Sequence, residues 1–147
     1  MSHGRTQIRT ALVTTLTGLA TTASRVYANR VHPVTDAELP CLLISTDSEE
    51  ITHTTLKQPR HQQRQLTATV RVLARATSAV DTTLDNSIEE IEQAVIGNPA
   101  LGGKCRDCRI ERIDITLDDG AERPTGMATV SLAIEWAAIE GVPQTTV

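Results

Sequence analysis

Aromatic side chains are almost missing from this sequence: it has no Phe, one Tyr (Tyr27) and one Trp (Trp136). Its core must therefore be aliphatic. The same scarcity argues against modules that bind nucleic acid by stacking bases on aromatic platforms. Excess positive charge is missing too. The formal net charge is −4, which argues against a general phosphate-binding role. Cysteine is scarce and odd in number. Cys41, Cys105 and Cys108 do not make a disulfide framework and fit a reducing cytosol. No apolar run approaches the ~18 residues of a spanning helix, and the N-terminal order is not that of a signal peptide. Cytosolic synthesis and residence are expected, unless a larger particle carries the chain out.

Thr is abundant and favours strands. With 147 residues, one domain spanning 1–147 is expected, and a chain of that size buries close to ~70% of its unfolded surface. Two segments carry helical periodicity. In "TQIRTALVTTLTGL" the residues Ile8, Leu12, Leu16 and Leu19 form one stripe. In "SAVDTTLDNSIEEIEQAVIGNP" the stripe is Val80, Leu84, Ile88, Ile91 and Val95, with Ser78 as candidate cap and Gly97 then Pro99 marking the end. Strand alternation appears in "LTATVRVLARA", with Leu66, Ala68, Val70, Val72 and Ala74 on one face. It recurs in "GMATVSLAIEWAAI", with Ala128, Val130, Leu132, Ile134, Trp136 and Ala138 on one face. "RVYAN" is a short first strand, and "CLLIS", apolar on both faces, is a central one. In "CRIERIDITLDDG" the apolar parity slips between Ile110 and Ile113, which predicts a β-bulge. The expected fold is α+β: a mainly antiparallel, mixed sheet with two amphipathic helices on one face. The polar run 47–65 reads as an arm or hairpin outside the core, and 141–147 as a loose tail.

Candidate chemistry is thin. Cys105 and Cys108 have the spacing of a redox or zinc pair, but the flanks read as strand, where positions three apart face opposite ways. His3, His32, His53 and His61 show no metal-ligand spacing. Asp85, Glu89 and Glu92 share a helical face that reads as a solvated one. Asp118, Asp119 and Glu122 sit at an Asp-Gly turn. "NPALGG" lacks the Lys-Ser or Lys-Thr of a phosphate loop. No catalytic residue, metal site or cofactor is expected.

The element order does resemble a known family. An opening helix "IRTALVTTLTGL" is followed by "RVYANRVHPVTDAELPCLLIST", a polar arm and a long alternating strand. Then come the acidic helix "LDNSIEEIEQAV", "LGG" and two long strands. This pattern resembles the tail terminator proteins of long-tailed phages, which include the minor tail protein U of lambda-like phages. The resemblance implies a hexameric ring on the tail tube at the head-proximal end of the virion tail, formed after synthesis in the host cytoplasm. Such a ring stops tube polymerisation and joins the neck or connector proteins of the head. DNA passes through its lumen without specific binding, and no membrane is involved. On this reading Lys57, Arg60, His61 and Arg64 of the arm are candidate subunit or tube contacts, and Asp118, Asp119 and Glu122 are candidate lumen-facing residues. The acids of the second helix (Asp85, Glu89, Glu90, Glu92) offer a complementary patch for a head-to-tail ring. Reversing the charges of Lys57, Arg60 and Arg64 together is expected to leave the fold intact. Two other readings stay open: another neck or tail-completion protein, and a small cytosolic enzyme or binding domain.

Overall fold

The computed structural model describes residues 3–28, 39–75, 80–118 and 125–143. In chain order the elements are α1 (Gly4–Leu16), β1 (Val26–Ala28), β2 (Cys41–His53), β3 (His61–Arg75), α2 (Val80–Gly97), β4 (Asp107–Asp118) and β5 (Thr125–Ile139). The strands form one sheet in the order β1-β2-β3-β5-β4. β1 runs parallel to β2, and the remaining pairs are antiparallel. The fold is the expected α+β arrangement. The candidate cap Ser78 and most of the connection between β1 and β2 lie outside the described residues.

Alternation in the sequence decides which face of the sheet is covered. β3 pairs with β5 along its whole length, with Val70 opposite Val130 and Ala68 opposite Leu132. The even-numbered residues of both strands are buried beneath the helices. α1 lies over β1 and β2, α2 lies over β3, β4 and β5, and the two helices touch. Ile8, Leu12 and Leu16 of α1 join Val80, Leu84, Ile88, Ile91 and Val95 of α2 in one aliphatic cluster with the sheet. The opposite face carries small and polar residues such as Thr67, Thr69 and Ser131. No described helix is long and apolar enough to cross a membrane.

Two bulges adjust the facing of the strands. The parity slip in β4 is a register shift between Ile110 and Arg112. It brings Ile113 and Ile115 opposite Val130 and Ala128, in phase with the helix side. A second shift lies between Thr46 and Ser48 in β2. Asp47, the residue passed over, accepts hydrogen bonds from Ser45 Oγ and Thr69 Oγ1. Beyond it Glu49, rather than Ser48, turns to the helix side, where the far end of the core lies.

The helix termini follow from local sequence. His3 caps α1, its Nδ1 accepting the Arg5 amide at 3.1 Å. α1 ends at Leu16, three residues before the last residue of its predicted stripe, and Gly18 then takes a left-handed φ of +93°. Gly4 is required for a different reason: a Cβ there would lie 2.4 Å from the Trp136 ring. The N-terminus of α1 can therefore sit directly on the indole only because that position has no side chain.

Candidate assembly interface

The polar run 47–65 is largely strand. β2 continues to His53 and β3 begins at His61, in register from Ser48 opposite Thr67 to His53 opposite Gln62. Residues 61–65 lie inside the sheet, because β5 pairs on their other side from Ile139 to Glu135. Only 54–60 forms the projecting turn. The expectation that the whole run sits outside the core is thus corrected. "HQQRQ" carries no apolar residue, yet pairing on both edges satisfies its backbone and holds it extended.

Arg64 shows what that placement means for a side chain. It faces inward and is 8% exposed. Its Nη1 donates to Glu49 Oε1 at 2.9 Å, and its Nε and Nη2 donate to Gln62 Oε1 at 3.2 and 2.7 Å. The guanidinium lies 5.0 Å from the centre of the Trp136 ring. Glu49 Oε2 in turn accepts the indole Nε1–H at 2.8 Å. His3 closes the cluster by meeting Trp136 edge-on, with ring centres 5.9 Å apart. Burial, and after it the positive charge of Arg5, pushes the His3 pKa below its usual value. These groups form a satisfied polar plug at the hairpin's base, so Arg64 stiffens the hairpin and does not present its charge to solvent.

The turn itself is closed by its own groups. Thr54 N–H and Oγ1–H donate to the His61 carbonyl at 2.8 and 3.2 Å, and His61 N–H donates to Thr55 Oγ1 at 2.9 Å. Arg60 Nη1 pairs with Glu140 Oε2 at 3.0 Å, and Glu140 N–H donates to the Arg60 carbonyl at 2.8 Å. His53 Nε2 lies 3.6 Å from the same carboxylate. Lys57 and His61 are exposed. Leu56, at 97%, is the most exposed large apolar residue described.

The two cysteines of "CRDC" are both buried in the core cluster. Cys105 lies in the turn before β4, so the opposite-face argument does not apply to it. Its thiol is 3.5 Å from the Pro99 carbonyl. Burial pushes the Cys105 thiol up to about 11 and the Cys108 thiol to about 12. Thiols held protonated in this way are packed as small apolar groups.

The hairpin is thus closed at its turn and locked at its base by side chains of the same chain. Over residues 3–136 the sequence matches the family described as phage minor tail protein U. The chain belongs to that family. It is a bacteriophage structural protein of the tail and a component of the virion. Among curated proteins no sequence matches it. In fold it resembles a chain of the virion of a native gene transfer agent particle, with a TM-score of 0.50 and 15% identity. That likeness covers 95% of this chain and 92% of the other.

For this tail protein, the charges named from sequence fall into separate groups. Lys57, Arg60 and His61 gather at the hairpin turn, while Arg64 is drawn beneath it. On α2, Asp85, Glu89 and Glu92 are exposed. Glu90 is engaged within the chain, accepting from the Thr21 amide at 3.3 Å and the Thr21 hydroxyl at 3.1 Å. Of the candidate lumen residues, Asp118 is the last residue of β4, while Asp119 and Glu122 lie outside the described residues. Sequence reasoning missed Glu49, Trp136 and Leu56 as parts of this region. Leu56, the lone apolar residue of the turn, was the signal available for the last of them.

Proposed function

We propose that this tail protein caps the tail tube as a ring at its head-proximal end. There it stops tube polymerisation and offers the joining surface to the neck or connector proteins. The ring is a homo-oligomer, a hexamer on the family resemblance, and DNA passes through it without specific binding. The role is structural and calls for no catalysis or cofactor.

The observation that carries this reading is the hairpin. Its base is locked by Arg64, Glu49 and Trp136, and Arg60 latches its turn to Glu140. Beyond these locks, Leu56 and Lys57 stand in solvent, where core packing does not need them. A stiff projection with an apolar and a cationic contact at its end suits a head-to-tail interface, since it loses little conformational freedom on docking. The likeness to a chain of a gene transfer agent virion supports placement in an assembled particle.

Assembly with tube subunits of the same phage tests the proposal. With the wild-type chain present, tubes should reach a fixed length with a cap at one end. Without it, or with Leu56→Asp together with Lys57→Glu, they should overgrow. Tubes of fixed length in the absence of the chain would assign termination to another component. The role would then be neck or tail completion.

A further inference from the structure

The described surface holds an apolar groove that the fold itself leaves open. It lies between the C-terminal end of α2 and β4, has a volume of about 440 Å³, and is lined by Val95, Ile96, Pro99 and Ile110. Ile96 is 79% exposed on an otherwise polar helix face. Glu92 and Asp107 stand on the rim. Arg109, also on the rim, is offset by three carboxylates: Asp107 at 3.2 Å, Glu111 at 2.9 Å and Glu135 at 3.1 Å. Beside the groove β4 is an edge strand, paired only with β5 among the described residues.

The hairpin turn has the opposite character. Residues 54–60, "TTLKQPR", carry Lys57 and Arg60 and no acid. The two features also share one end of the sheet. β4 begins opposite Glu135 of β5, and the hairpin closes opposite Ile139 of the same strand. They lie on different strands of it: the hairpin joins β2 to β3, the groove lies beside β4, and β5 runs between.

We propose that the hairpin turn of one copy seats in the α2–β4 groove of the next, with Leu56 against Ile96 and Lys57 against Glu92. This deepens the ring reading above and rests on it. A projection and a receptor that are different patches of one chain make a heterologous contact, which repeats head to tail until the rotation closes. Leu56 supplies the desolvated anchor, and the charged pairs set register and exclude the reversed docking. Neither Lys57 nor Glu92 has an ion-pair partner among the described residues, so each charge is available across the interface. The contact also covers the apolar groove beside an open strand edge, which would otherwise invite irregular association.

Cross-linking tests this directly, because the three native thiols are buried. Leu56→Cys and Ile96→Cys are placed in one chain, which is treated with a short bis-maleimide in the ring-forming state, on tubes if rings need them. The expected product is a covalent ladder rising to the ring size. Neither single variant should cross-link with itself, and a mixture of the two singles should give dimers. Lys57→Glu and Glu92→Lys should each weaken ring association about tenfold, and the double reversal should recover most of that loss. Rings of the expected size without a ladder would overturn the docking site and leave the ring reading standing. Self-cross-linking of Leu56→Cys alone would show a two-fold contact and overturn it as well. Chains that stay monomeric on tubes would remove both.

Discussion

Replacing Glu49 tests whether the hairpin base is part of the fold. Its side chain is 4% exposed and holds two buried donors: Arg64 Nη1 at 2.9 Å and Trp136 Nε1 at 2.8 Å. In Glu49→Ala the guanidinium stays buried without its counter-charge, and the indole N–H loses its acceptor. Breaking a buried pair from one side costs roughly 3–5 kcal/mol, and the orphaned N–H belongs to the same loss. For a chain of this size that corresponds to roughly 6–20 °C in Tm. Glu49→Gln keeps an acceptor and should lose less. The paired change Glu49→Leu with Arg64→Met removes both charges and should recover much of the stability, short of the indole's lost partner. Urea unfolding followed by far-UV circular dichroism gives the free energies. Trp136 emission, from the only indole in the chain, reports on the site itself. A loss under about 1 kcal/mol in Glu49→Ala would refute the reasoning. So would a double variant no more stable than the single.

The same geometry splits the charge-reversal trio. Arg64→Glu sets a carboxylate against Glu49 and should destabilise the chain, whereas Lys57→Glu should leave Tm within a few degrees. Leu84→Ala and Ile88→Ala should each cost about 2–5 kcal/mol by chemical denaturation, since both side chains are buried under α2. Changing Cys105 and Cys108 together to Ser places two hydroxyls in the core and should cost about 1–3 kcal/mol each. The Ala pair should retain more stability, which thermal melts will show. Gly4→Ala meets Trp136 at 2.4 Å and should lower stability by about 1–3 kcal/mol in the same melts. A ring of six chains would carry roughly −24 in charge, so filter binding at physiological salt should detect no tight DNA complex.

The sequence pattern carries the parts of this fold where apolar residues mark a face. Ile8 to Leu16, Val80 to Val95 and Ala128 to Ala138 could be assigned to the core because each has a clean period. The bulge near Ile110 was visible because it interrupts such a period. The bulge at Asp47 was not, because Ser45 to Glu50 is polar throughout and has no parity to break. That hidden shift is what turns Glu49 inward. Its partners lie 15 and 87 residues away, so no local pattern joins Glu49, Arg64 and Trp136. Strand structure in 61–65 was hidden for a related reason: two neighbouring strands hold it extended, and its own side chains give no such signal. The hairpin's cationic turn was legible as a charge run, but the groove it is proposed to enter exists only once α2 packs beside β4.

Cryo-electron microscopy of the intact particle tests the central claim most directly. The expected density is a single ring of this chain at the head-proximal end of the tail tube, with each hairpin turn against the α2–β4 side of its neighbour. Density for the chain elsewhere in the tail, or one or two copies in place of a closed ring, would contradict it.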